Sequence, residues 1–204
     1  MIKKHNREIT AILRGVTPSN VVNVVNILTK NGISKIEIPL NSPKPFETMK
    51  KIKLECENVQ SLGAGTVLKP KDVENAQKVG CNFIFSPNLN KNVIKETKKR
   101  KMFSVPGVFT PSEAIKAIEY GADALKLFPA HVIKPDGVKS LLAVLPKKLP
   151  LIVVGGLDSF SFKTWFDSGV AGFGIGSYLY NNKYSLNKID QICKKIVIEY
   201  DKFK

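Results

Sequence analysis

Short apolar runs recur along the chain, beginning near Ile9, Lys35, Leu62, Phe83, Met102, Ala124, Leu151 and Gly172. Their starts are spaced at roughly one strand per 23 residues, the length of a compact strand–helix unit. Between them lie positions with helical periodicity. Val21, Val24, Val25 and Leu28 follow the i, i+3, i+4, i+7 rule, as do Val138, Leu141, Leu142 and Leu145, and Ile189, Ile192, Cys193 and Ile196. Thr17-Pro18 and Ser42-Pro43 place a capping hydroxyl before a first-turn proline. Thr110-Pro111-Ser112-Glu113 reads as a capping box. Gly32, Gly80, Gly121 and Gly169 each follow a helical pattern, where a left-handed residue ends the helix.

Strands alternating with helices predict a parallel sheet. Eight such units predict one (β/α)8 barrel of the TIM type, an α/β fold filling residues 1–204 as a single domain, with no linker. The competing fold is an open doubly wound sheet, whose glycine-rich turn leads straight into a helix. Gly63-Ala64-Gly65 begins such a turn, but the third glycine is missing and Pro70 starts the helix several residues later.

Alternation along barrel strands assigns the interior. In Ala124-Leu125-Lys126-Leu127-Phe128 the leucines face the helices and Lys126 points inward. In Lys35-Ile36-Glu37-Ile38-Pro39-Leu40 the isoleucines face outward and Glu37 points inward. Both charges lie late in their strands, at the carboxyl rim where barrel active sites form. A desolvated lysine becomes a neutral amine able to attack a carbonyl, and a nearby carboxylate can move protons for it. The alternative is a buried ion pair with a purely structural role, a weak source of stability.

Other rim positions carry candidate contacts. Arg14 ends the first strand and suits a carboxylate or phosphate, the alternative being a surface salt bridge. Thr66 ends the third, as a substrate contact or an ordinary turn threonine. Gly155-Gly156 and Gly174-Ile175-Gly176-Ser177 end the last two strands, where backbone N–H groups can cradle an anion; the alternative is tight packing.

Composition narrows the classes. Hydrophobic residues at 43% and charged residues at 24% describe a globular chain with a sizeable core. No apolar run reaches membrane-spanning length and no signal-peptide core is present, so the expected address is the cytoplasm, with no membrane role. The formal charge of +15 is spread along the sequence, with clusters at 98–101 and 147–148. No aromatic interleaving accompanies it, so a basic solvated surface is favoured over a nucleic-acid groove, and the charge can also steer an anionic substrate. Cys56, Cys81, Cys193, His5 and His131 lack metal-site spacing; neither a metal nor a disulfide is expected, and nothing favours a Cys–His catalytic pair.

Taken in order, several segments resemble the bacterial class I aldolases for 2-keto-3-deoxy-6-phospho sugar acids and 4-hydroxy-2-oxoglutarate. They are Ala11-Ile12-Leu13-Arg14-Gly15, Ile36 to Pro43, Gly63 to Leu68, Pro106-Gly107 with Thr110 to Ala114, Leu125 to Pro129, Val154-Gly155-Gly156 and Gly174 to Ser177. The resemblance covers nearly the whole chain. It implies Lys126 as the Schiff-base lysine and Glu37 as general acid and base. It implies Arg14 and Thr66 as substrate contacts, Pro87 and Phe128 as pocket wall, and Gly155, Gly156, Gly176 and Ser177 as phosphate cradle. It implies no cofactor and a homotrimer.

The implied reaction is reversible cleavage of 2-dehydro-3-deoxy-6-phosphogalactonate to pyruvate and D-glyceraldehyde 3-phosphate. Asn41 and Val154 resemble the galactonate branch of the family, where the gluconate branch has arginine and threonine. Phe109 and residues 131–136 match neither branch. The alternatives are the gluconate-branch activity, a relaxed enzyme that accepts both C4 epimers, and a phosphate-binding barrel isomerase without covalent catalysis.

Overall fold

A computed structural model describes residues 7–203; His5 lies outside them. Nine parallel strands form one sheet: β1 (Ile9–Ile12), β2 (Lys35–Pro39), β3 (Ser61–Gly65), β4 (Phe83–Phe85), β5 (Phe103–Val105), β6 (Gly107–Val108), β7 (Leu125–Leu127), β8 (Leu151–Val154) and β9 (Gly172–Ile175). The helices between and after them are α1 (Val21–Lys30), α2 (Pro45–Glu55), α3 (Pro70–Lys78), α4 (Lys91–Lys99), α5 (Pro111–Glu119), α6 (Ala130–Leu142), α7 (Phe162–Asp167) and α8 (Leu186–Asp201). The sheet order β5-β4-β3-β2-β1-β9-β8-β7-β6 wraps the strands into the expected barrel.

Eight predicted strands become nine because Pro106 interrupts the fifth. Proline has no N–H to give to a ladder, so β5 pairs with β4 and β6 with β7. The carbonyls on either side still bridge the break. Ser104 accepts from Asp123 and Ala124 at 3.0 and 3.3 Å, and Pro106 accepts from Lys126 at 2.9 Å.

Alternation sorts the side chains as the sequence predicts. Ile36, Ile38, Leu125 and Leu127 join the large core between strands and helices. Ile12, Phe83, Phe85, Val105, Ala124 and Val154 form a second, small core inside the barrel. Two glycines make room in that interior. A Cβ at Gly63 would lie 2.2 Å from the Phe83 ring, and one at Gly65 would lie 1.5 Å from Glu37 Oε1. The Gly-Ala-Gly segment is therefore space for two inward side chains rather than a nucleotide turn.

Local signals fare unevenly. Thr110 and Glu113 form the capping box, and Gly32, Gly80, Gly121 and Gly169 all take positive φ after their helices. Two predicted caps are corrected. Thr17 opens a turn whose carbonyl accepts from Asn20 and Val21, and α1 begins only at Val21. Ser42 does not cap α2, which starts at Pro45 behind left-handed Lys44. Its hydroxyl accepts from the Gly15 amide at 3.0 Å, lacing the loop after β1 to the loop after β2. Helix α6 also departs from expectation: it begins directly after Pro129 and breaks at Lys134, before Pro135.

The basic run at 98–101 is partly neutralised. Lys98 pairs with Asp123 at 2.5 Å, and Arg100 pairs with Glu96 at 2.5 Å and Glu74 at 3.7 Å. Cys56, Cys81 and Cys193 are buried free thiols, and burial pushes Cys81 and Cys193 up to about 12, which removes them as nucleophiles. Among the described residues, no helix is long and apolar enough to cross a membrane.

Candidate active site

Lys126 sits mid-strand in β7 and Glu37 mid-strand in β2, inside the barrel rather than late in their strands as the sequence suggests, 5% and 1% exposed. The Lys126 Nζ lies 5.8 Å from the centre of the Phe85 ring and 4.8 Å from that of Phe128. Neither charged side chain is hydrogen-bonded to the other, and Glu37 Oε2 is buried with no hydrogen-bond partner. The two groups are therefore coupled through space and not through a direct contact.

Desolvation dominates both groups. It pushes the Glu37 carboxyl up, against the attraction of Lys126 and then Arg14. It pushes the Lys126 ammonium down, opposed by the Glu37 carboxylate and assisted by repulsion from Arg14. Burial thus drives each group toward its neutral form. Perturbation of this kind, with a specific charge partner beneath a barrel's carboxyl rim, marks a candidate catalytic pair.

The rim completes the site. Arg14 is exposed at the end of β1, where its guanidinium donates to Asn41 Oδ1 and, at 3.5 Å, to Thr66 Oγ1. Thr66 holds φ 56°, a left-handed conformation rare for a β-branched residue, and such strain clusters at functional sites. Three successive strand ends thus meet around one cation facing solvent. On the far side, Phe128 is 38% exposed and leads through a cis peptide bond into Pro129 and α6. Pro87 follows β4, and its backbone lies so close to Gly107 that a Cβ there would sit 2.4 Å away.

Gly155 and Gly156 both take positive φ, 98° and 75°, turning the chain sharply as it leaves β8. Beside them Val154 is buried in the inner core. After β9, the amides of Leu179 and Tyr180 return to the Gly176 carbonyl, so Gly176 and Ser177 head a single helical turn at the rim. A 2.9 Å hydrogen bond between the Ser159 and Tyr178 hydroxyls ties the loops after β8 and β9 together.

All eleven candidate residues therefore lie inside the barrel or at its carboxyl rim. Three partners went unassigned in the sequence. Phe85, beneath Lys126, was legible from the Phe-Ile-Phe alternation; the packing of Gly65 on Glu37 and the bond from Arg14 to Asn41 were not. A separate cavity of about 470 Å³ opens at the amino-terminal end of the barrel, among Phe83, Phe103, Val105 and Ile152. Phe85 lines it and stands between it and Lys126, so it is not part of this site.

Comparisons with known proteins identify the family. Residues 2–195 match the family model for KDPG and KHG aldolases. A 2-dehydro-3-deoxy-6-phosphogalactonate aldolase of Escherichia coli K12 is 38% identical over 190 residues, covering 93% of each chain. A solved structure described as native KDPGal superposes with a TM-score of 0.94 at 36% identity, covering 99% of this chain and 98% of that one. A designed cage made by fusing symmetric oligomeric domains also matches, with a TM-score of 0.94 at 36% identity, covering 97% of this chain and 73% of the cage chain. The chain belongs to the KDPG and KHG aldolase family and is a lyase.

The contact between Gly65 and Glu37 yields a direct test. In Gly65→Ala the new methyl must push the carboxylate aside, which a flexible side chain can do without unfolding the barrel. Aldol cleavage should fall about 100-fold, the usual cost of misplacing a reacting group by about an ångström. Circular dichroism should stay native. Wild-type turnover in this variant would show that the position of the carboxylate is immaterial.

Proposed function

We propose that the chain is a class I aldolase that reversibly cleaves 2-dehydro-3-deoxy-6-phosphogalactonate to pyruvate and D-glyceraldehyde 3-phosphate. The observation that carries this reading is the burial of Lys126 and Glu37 together in the barrel interior, both driven toward neutrality. The neutral Lys126 amine attacks the C2 ketone, and the carbinolamine oxygen leaves as water with a proton from Glu37. The resulting iminium is an electron sink. The Glu37 carboxylate then takes the C4 hydroxyl proton. As the C4–O double bond forms, the C3–C4 bond breaks and its electron pair enters the iminium, giving an enamine and the free aldehyde. Protonation at C3 and hydrolysis of the imine release pyruvate and return the amine.

Arg14 and Thr66 hold the substrate carboxylate, with Asn41 fixing the guanidinium. Phe128 and Pro87 wall the reacting carbons. Gly155, Gly156, Gly176 and Ser177 hold the phosphate through backbone N–H groups and the Ser177 hydroxyl. The chemistry needs no cofactor or metal. The three unpaired thiols suit the reducing cytoplasm. The family resemblance and the similarity to a designed cage of oligomeric domains support assembly as a homotrimer; sedimentation equilibrium should read three chain masses, and one chain mass would exclude it.

Borohydride reduction in the presence of pyruvate separates this mechanism from a non-covalent isomerase, because only an imine is reduced onto the protein. The adduct should map to Lys126 and vanish in Lys126→Ala. Glu37→Gln keeps the shape of the side chain and should lower turnover by roughly 10²–10⁴. An adduct on another lysine, or near-normal turnover of Glu37→Gln, would reassign these roles.

Val154 supports the galacto configuration at C4. A threonine at the end of β8 could hydrogen-bond a C4 hydroxyl directed toward it, whereas the valine methyls leave that hydroxyl without a partner, a penalty of about 1–3 kcal/mol. Val154→Thr should shift the kcat/KM ratio toward the gluco epimer. A wild-type preference for the gluco epimer, or an unchanged ratio in the variant, would remove Val154 from the selection.

A further inference from the structure

We propose that His131 is a substrate-binding residue whose imidazole donates a hydrogen bond to the phosphate monoester at the far end of the substrate. The proposal rests on the phosphate reading above and adds a side chain to it.

One continuous wall runs from Lys126 to His131. The Phe128 ring covers Lys126 Nζ at 4.8 Å and lies 3.2 Å from where a Cβ on Gly155 would stand. Two residues past the cis proline, the His131 amide donates to the Gly155 carbonyl at 3.3 Å. Its side chain then packs on Gly156. A Cβ there would lie 2.9 Å from His131 Cβ and 3.1 Å from Nδ1. The space that any other residue at 156 would occupy is the space the imidazole uses. A substrate with its ketone at Lys126, extended along Phe128 and Gly155, therefore reaches His131 at its distal end.

The imidazole is available for that contact. His131 is exposed, and its ring makes no hydrogen bond among the described residues. In either protonation form it carries at least one ring N–H, and a phosphate oxygen is a strong acceptor. The other cradle groups are backbone amides and the Ser177 hydroxyl, so His131 adds an imidazole donor reaching in from α6.

The backbone breaks between this turn and the helix that follows. Lys134 adopts φ 59° and ψ 163°, a region otherwise almost reserved for glycine, and Pro135 follows it. The break separates the turn Ala130–Ile133 from the rest of α6, so the orientation of His131 follows from Pro129 and the Gly155 carbonyl rather than from the longer helical segment. Such strain persists only where surrounding structure over-determines it.

The test measures cleavage of the phosphorylated substrate and of the same keto-deoxy acid without phosphate, by wild type, His131→Ala and His131→Asn. His131→Ala should lose about 10-fold in kcat/KM on the phosphorylated substrate, mainly through KM. It should be unchanged on the unphosphorylated acid and in borohydride trapping of pyruvate, which also reports an intact fold. His131→Asn retains a side-chain donor and should recover part of the loss. A wild-type preference for the phosphorylated substrate that survives intact in His131→Ala would overturn the assignment of His131 alone, as would an equal loss on both substrates. Absence of that preference in wild type would overturn the phosphate reading itself, and this proposal with it.

Discussion

The site depends on placing an amine and a carboxyl in a barrel interior that cannot solvate their charges. Burial works on Lys126 and Glu37 in opposite chemical senses and the same electrostatic one, driving each toward neutrality. A direct ion pair would cancel that pressure and fix both as ions. The barrel avoids it by holding Glu37 against Gly65 and Lys126 between Phe85 and Phe128, coupled through space without a hydrogen bond. The arrangement is poor for stability and well matched to reversible proton and imine chemistry.

The other elements of the barrel serve that placement. Gly63 and Gly65 give up their side chains so that Phe83 and Glu37 can occupy the interior. The bond from Gly15 to Ser42 and the chain from Asn41 through Arg14 to Thr66 bind three strand ends into one rim. Across the barrel, the pair of left-handed glycines and the turn after β9 are joined through Ser159 and Tyr178. One half of the rim carries a cation, and the proposed cradle of backbone N–H groups on the other would fit a substrate with an anion at each end.

Much of this was legible in the sequence because strand alternation is stiff and capping is local. Period-two alternation in Lys35–Leu40 and Ala124–Phe128 leaves no choice about which way Glu37 and Lys126 point once the strands are parallel. The signature Thr110-Pro111-Ser112-Glu113 closes on itself through bonds between neighbours, so it was read without tertiary context. Failures fell where a distant partner decides. Ser42 looks like a cap until Gly15 claims its hydroxyl. The α6 pattern from Val138 onward hid an earlier turn held by Pro129 and the Gly155 carbonyl. The interruption at Pro106 was visible as a proline, yet its consequence, a fifth strand divided between two neighbours, depends on the ladders either side.

Burial lowers Lys126 while the Glu37 carboxylate, by attraction, limits that lowering. The rate of borohydride trapping with pyruvate, followed across pH, reads it most directly. The amine must be neutral to attack, so trapping rises as pH passes the Lys126 midpoint. In wild type that midpoint should lie below the usual lysine value. In Glu37→Gln the carboxylate no longer favours the ammonium, so the midpoint should fall further and trapping should persist to lower pH. A midpoint in the usual lysine range, or one that rises in Glu37→Gln, would contradict the account.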